Sequence, residues 1–181
     1  MIHLSANVIE IVRHSEQSNE AMCKPNGIWY APSDVWKDYH KKYIGKGPDL
    51  KYEYDLELRY TTYGKRDRHR VLKIADERSF DRFTLRYGTI RKDKYADHIY
   101  IVLIDWERVA KRYGGIELAP LIESRLNVTN ERIIKKYNKK FGFVQSDDDN
   151  ETTLVFWQTL FDVPSGCVWN PGAIRRMKRI G

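Results

Sequence analysis

Three short stretches of this chain carry residue types suited to chemistry on a sugar joined to a flat heterocycle. His3-Leu4-Ser5 comes first. Gly27-Ile28-Trp29-Tyr30-Ala31-Pro32 follows and leads into a segment bearing Tyr39 and His40, and Tyr113-Gly114-Gly115-Ile116-Glu117 comes last. Breaking a glycosidic bond to a heteroaromatic leaving group builds positive charge on the sugar. A nearby carboxylate stabilises that charge and can hydrogen-bond a ring hydroxyl, and Glu117 is of that type. An imidazole or hydroxyl, as at His3 and Ser5, can orient the sugar. Aromatic rings, as at Trp29, Tyr30 and Tyr39, can cover a planar ring.

These residues need elements to hold them. Met1 to Ala6 reads as a short strand, and Asn7 to Arg13, with Val8, Ile9, Ile11 and Val12, as a brief helix. Lys24-Pro25-Asn26-Gly27 is a turn signal before a buried strand at Ile28 to Ala31. Alternation there sends one of Trp29 and Tyr30 to the core and frees the other. Ser33 fits an N-cap for a helix running to about Tyr43. From Lys51 to Tyr60, apolar Tyr52, Tyr54, Leu56, Leu58 and Tyr60 alternate with Glu53, Asp55, Glu57 and Arg59, which predicts a half-buried strand. Tyr63 to Arg70 reads as a basic turn, and Val71 to Ala75 as the paired return strand.

Further on, Asp76 suits an N-cap for a helix carrying Phe80, Phe83 and Leu85. His98 to Ile104 is a continuous apolar run suited to a buried strand. Asp105 then caps a helix to Tyr113, before a strand from Gly115 to Ala119. On that strand Glu117 faces opposite to Ile116 and Leu118. Pro120 to Tyr137 is helical by pattern, Ser146 to Glu151 is an acidic loop, and Thr152 to Leu160 and Gly166 to Trp169 read as strands. The basic tail from Arg175 to Arg179 is expected to be poorly ordered. Interspersed strands and helices with an alternating strand predict an α+β domain rather than a doubly wound parallel sheet.

With 181 residues the chain is expected to form one domain able to bury about 70% of its unfolded surface. A net charge of +7 favours polyanionic partners. Lys65, Arg66, Arg68 and Arg70, with His69, form a cluster at one turn that could hold phosphates; Lys135, Lys136, Lys139 and Lys140 form a second. The two cysteines, Cys23 and Cys167, lie in no zinc-like spacing, so no metal site is expected and free buried thiols are. Ser165-Gly166-Cys167 invites a thiol nucleophile, but no base is placed beside it. With no long apolar run, a cytoplasmic or other intracellular setting is expected, without a membrane.

The three stretches, taken in that order, resemble the poly-ADP-ribose polymerase branch of the ADP-ribosyltransferases, although the spacing from His3 to the second stretch is short for that pattern. There an H-G-S/T strand precedes a G-I-Y-F-A strand, a helix with a stacking tyrosine, and a late catalytic glutamate. The resemblance covers about residues 1 to 119. It implies a split, mostly antiparallel sheet with flanking helices, and NAD as substrate. It also implies release of nicotinamide and transfer of ADP-ribose to a macromolecular acceptor, nucleic acid or protein. His3 would then bind the nicotinamide ribose, and Leu4 and Ser5 the carboxamide. Trp29, Tyr30, Tyr39 or His40 would line the nicotinamide site, and Glu117 would be catalytic. The chain departs from the pattern at Leu4, in place of glycine, and at Trp29, in place of tyrosine. Gly115 stands where arginine-directed relatives carry Glu or Gln, which argues against arginine as the acceptor. Two rival readings are an RNA 2′-phosphotransferase on a similar scaffold and a non-catalytic nucleic-acid-binding domain.

Overall fold

A computed structural model describes residues 1–19, 24–32, 35–39, 41–42, 50–92, 99–125, 131–141, 152–154 and 156–181. In chain order the elements are β1 (Ile2–Ser5), β2 (Ile28–Tyr30), α1 (Val35–Tyr39), β3 (Tyr52–Leu58), β4 (Tyr60–Thr62), β5 (Asp67–Ile74), α2 (Glu77–Tyr87), β6 (Gly88–Lys92), β7 (Ile99–Ile104), α3 (Trp106–Ala110), β8 (Tyr113–Leu118), α4 (Glu131–Phe141), β9 (Thr152–Leu154), β10 (Ser165–Val168) and β11 (Ile174–Arg179). Short 3-10 turns occupy Glu123–Arg125, Phe156–Leu160 and Pro171–Ala173.

The strands form three sheets ordered β1-β3-β11, β2-β10-β8-β5-β4 and β6-β7-β9. The first is antiparallel, and the other two mix parallel and antiparallel pairs. The class is therefore α+β, with few helices. The first two sheets face each other. Leu56 of β3 packs with Tyr30, Val71, Val168 and Ala173 in the layer between them. The opposite face of the five-stranded sheet presents Leu72, Ile74, Ile116, Leu118 and Cys167 to Phe80 and Phe83 of α2, Trp106 of α3, and Trp157. β8 is the middle strand of five and all six of its residues are buried. That position makes Glu117 a charged group inside a protein layer.

Local sequence explains the better-marked elements. Asp76 caps α2: its side chain accepts from the Ser79 amide at 2.7 Å, and Ser79 returns the contact, satisfying two amides that the first turn leaves open. Asp105 caps α3, its side chain accepting from the Arg108 amide. At Gly27, φ is +150° and a Cβ would collide with the Val168 carbonyl, so the turn before β2 requires glycine.

Several expectations change. Asn7–Arg13 forms no helix. Ile11 is 72% exposed, the Ile9 amide donates to the Tyr54 hydroxyl, and the Ser15 amide donates to the Trp169 carbonyl, so tertiary anchors hold this segment as a strap. The alternating strand ends at Leu58, and Tyr60 opens β4 in the other sheet. β4 and β5 pair in parallel, Tyr60 opposite Val71, so Val71–Ala75 is no hairpin return. Thr152–Leu160 divides into a three-residue strand and a 3-10 turn, because the Trp157 indole is drawn inward to donate to Thr84 Oγ1 at 2.9 Å. Pro120–Tyr137 is helical over most of its described residues, through the 3-10 turn at Glu123–Arg125 and seven of the eleven residues of α4, with 126–130 outside the described residues. The basic tail is ordered as β11. Its cations meet the acidic side of β3, with Arg175 to Glu57 at 2.8 Å and Arg176 to Asp55 at 3.4 Å. Ser33 and its proposed cap, His40, Cys23 and the 146–151 loop lie outside the described residues.

Candidate functional site

Strand register builds the site. Tyr30 of β2 pairs with Gly166 of β10, Gly166 with Glu117 of β8, and Glu117 with Lys73 of β5. Directly opposed residues share a face, so Tyr30, Glu117 and Lys73 all project into the layer between the first two sheets. Glycine is required in the middle of the row: a Cβ on Gly166 would collide with the Tyr30 phenol. Across the layer, His3 of β1 pairs with Tyr54 of β3, and their rings lie 6.2 Å apart. Tyr54 shares its face with Leu56, which packs in that layer. His3 and Glu117 therefore project into one inter-sheet layer from opposite walls.

Glu117 is 1% exposed. Its Oε2 accepts from the Tyr60 hydroxyl at 2.6 Å. The Lys73 ammonium lies 3.2 Å from Oε1 and 5.7 Å from the centre of the Tyr60 ring. Lys73 is nearly half exposed, so the carboxylate is buried while its cationic partner reaches solvent. Apart from this ion pair, Oε1 has no hydrogen-bond donor among the described residues, and neither does the fully buried Tyr30 hydroxyl have a partner. The Tyr30 phenol lies beside the carboxylate; burial, and then the charge of Glu117, push its pKa well above the ordinary value. Burial and the bond to Glu117 raise the Tyr60 phenol likewise. Both phenols remain protonated at neutral pH and can only present O–H groups to an anion or a hydroxyl.

His3 is held differently. Its Nδ1 lies 2.6 Å from the Trp29 carbonyl. A carbonyl only accepts, so Nδ1 carries the proton and Nε2 presents a lone pair. Nε2 has no partner among the described residues. Burial lowers the ring's pKa from 6.5 against the opposing effect of that backbone bond, so the imidazole is neutral at pH 7. It borders a cavity of about 200 Å³ lined by His3, Leu4, Trp29, Trp36 and Leu50. That volume, with two indoles and two leucines around it, suits one flat apolar ring.

The sequence-assigned residues thus divide. His3, Leu4 and Trp29 line the apolar cavity; Tyr30 and Glu117 are not part of its lining. Ser5 spends its hydroxyl on a turn, donating to the Asn7 carbonyl at 2.7 Å. Tyr39 lies on α1 with its ring edge against Trp36, 5.9 Å away, and does not line the cavity. Trp36, Tyr60 and Lys73 went unassigned. Trp36 sits one helical turn before Tyr39, a spacing that could have marked it. Tyr60 and Lys73 carry no local signal, since only sheet register brings them to Glu117. Cys167 is fully buried, 3.6 Å from the Pro25 carbonyl, and burial drives its thiol pKa well upward, which removes it as a nucleophile.

The basic cluster is not all on a turn, because β5 begins at Asp67 and carries Arg68, His69 and Arg70, and the cluster also divides. Arg70 pairs with Asp67 at 2.9 Å and donates to the Tyr60 carbonyl, and Lys65 is exposed. Arg66 and Arg68 line a separate cavity with residues of α3 and the segment after it. No helix among the described residues is long and apolar enough to cross a membrane. Compared with protein-family models, with curated proteins and with solved structures, the chain matches none.

Proposed function

We propose that the chain is an ADP-ribosyltransferase that takes NAD as substrate, releases nicotinamide and passes ADP-ribose to a macromolecular acceptor. The observation that carries the reading is the buried Glu117 carboxylate, one oxygen held by Tyr60 and the other paired with the half-exposed Lys73 ammonium, in the same inter-sheet layer as the neutral His3 imidazole. The nicotinamide ring takes the apolar cavity beside Trp29 and Trp36. Nε2 of His3 accepts a hydrogen bond from a ribose hydroxyl. Lys73 is the exchangeable partner of Oε1 because its ammonium reaches solvent; it swings away, and a second ribose hydroxyl takes its place.

The reaction then follows from charge. The bond between the ribose anomeric carbon and the nicotinamide nitrogen breaks, and its electron pair leaves with nicotinamide. Glu117 stabilises the cation developing on the ribose, in a layer where exclusion of water strengthens that attraction. The acceptor nucleophile bonds to the anomeric carbon, and its proton passes to Glu117 or to solvent. Tyr60 fixes the carboxylate orientation throughout.

Purified protein incubated with NAD should release nicotinamide, measured chromatographically. Glu117→Gln keeps the shape of the side chain and should lower that release by about 100-fold or more, with circular dichroism unchanged. Equal release by the folded variant overturns the proposal.

A further inference from the structure

Four arginines and a lysine converge on one cavity at the far end of the five-stranded sheet from Glu117. Arg66 and Arg68, at the start of β5, and Arg108, Lys111 and Arg112, from α3 and the segment after it, line about 250 Å³ of space. Glu117 is five residues along β8 from Arg112, roughly 16 Å at about 3.3 Å per residue. None of the five cations forms an ion pair with a carboxylate among the described residues. The neighbouring acids are engaged elsewhere. Asp67 accepts from Arg70 and from the His69 amide. Asp105 accepts from the Asn19 side chain and the Arg108 amide. Glu107 does not line the cavity. The Arg108 guanidinium is steadied 5.8 Å from the centre of the Tyr87 ring, in reach of the cavity without being neutralised.

Five like charges held together, with no carboxylate paired to them among the described residues, repel one another, and a ligand that supplies several negative charges relieves that repulsion. We infer that this cavity binds the phosphodiester backbone of a nucleic acid. Arginine forks match pairs of phosphate oxygens, and four of the five cations are arginines. Four of the five side chains are exposed. That exposure suits a polyanion, which gains affinity by releasing counterions along its length, better than a small phosphate ester, which needs an enclosing pocket. No aromatic ring lines the cavity, so contact is to phosphate and carries no base preference. The inference stands on these five residues and holds whether or not Glu117 acts on NAD.

The test is fluorescence anisotropy with a labelled 20-nucleotide single-stranded DNA of mixed sequence, titrated over a series of potassium chloride concentrations. Five phosphate contacts, at about 0.7 per phosphate, give a log–log salt slope of about −3.5. Arg68→Gln with Lys111→Gln removes two exposed cations and should make the slope shallower by about 1.4; Arg66→Gln alone should change it by about 0.7. Arg13→Gln with Lys178→Gln removes the same charge at two exposed positions outside the cavity lining and should leave the slope unchanged. Equal weakening by the two double variants overturns the inference, as does a wild-type slope shallower than about −1. Displacement of the oligonucleotide by inorganic tripolyphosphate at equal phosphate concentration also overturns it, in favour of a small phosphate compound.

Discussion

His3 shows how much one backbone contact can decide. An imidazole near the start of a chain is ordinarily solvated and titrates near neutrality. Here the Trp29 carbonyl fixes the tautomer and burial holds the pKa below 6.5. The unfolded chain therefore binds a proton at His3 before the folded chain does. Stability from this residue is complete above pH 6.5 and is lost as pH falls through 6.5 toward the lower folded value, because ∂ΔG/∂pH is positive wherever the unfolded state holds more protons. Urea titrations should show unfolding free energy dropping more steeply between pH 7 and pH 5 for the native chain than for His3→Asn. Parallel pH profiles would show that the partly buried imidazole does not contribute in this way. Glu117 is positioned at the same scale but by different means: three side chains from three strands surround it, and none is adjacent to it in sequence.

Among the elements, β10 determines whether the inter-sheet layer closes. It lies between β2 and β8, and its glycine leaves room for the Tyr30 phenol to lie against Glu117. Gly166→Ala places a methyl group where Tyr30 and the Ile116 carbonyl already sit. Overpacking of this kind should destabilise the protein by about 1–3 kcal/mol, read from the urea midpoint, and should displace Tyr30 from Glu117. An alanine variant as stable as the native chain would contradict the close approach. β11 makes a related point about electrostatics. A run of four cations at 175, 176, 178 and 179 reads as a solvated tail until β3 supplies Asp55 and Glu57 alongside it. Met177 packs against the layer's apolar cluster at the same time. Such exposed ion pairs contribute little individually, so backbone pairing and the apolar contact set the strand's order.

Over the whole molecule the larger core lies on the side of the five-stranded sheet remote from Glu117, and it is mainly aromatic. Trp157 stacks on Phe80 with centroids 4.7 Å apart and planes 14° apart, and it meets Trp106 edge-on. Its indole also satisfies the buried Thr84 hydroxyl. Trp157→Phe removes that donor and part of the ring volume, so it should cost about 2–4 kcal/mol in denaturant unfolding. A loss below about 1 kcal/mol would mean that the core repacks around a smaller ring. The larger aromatic core thus lies on one face of the sheet, while the face that carries the charged row has a smaller apolar cluster around Leu56, Val71 and Val168.

Elements whose signals are local can be read from residue order alone. The Asp76 and Asp105 caps, the alternation from Tyr52 to Leu58, the apolar strand before Asp105 and the placing of Glu117 opposite Ile116 and Leu118 are all set by residues a few positions apart. Cap geometry and side-chain periodicity need nothing more distant. Tertiary structure alone decided that Tyr60 and Lys73 hold Glu117, that β4 and β5 run parallel, that the tail becomes a strand, and that α3 completes the basic cavity begun by Arg66 and Arg68. Each of those depends on which strands become neighbours and in what register, and register is fixed by burying one face of a whole sheet, a property no short window of residues contains.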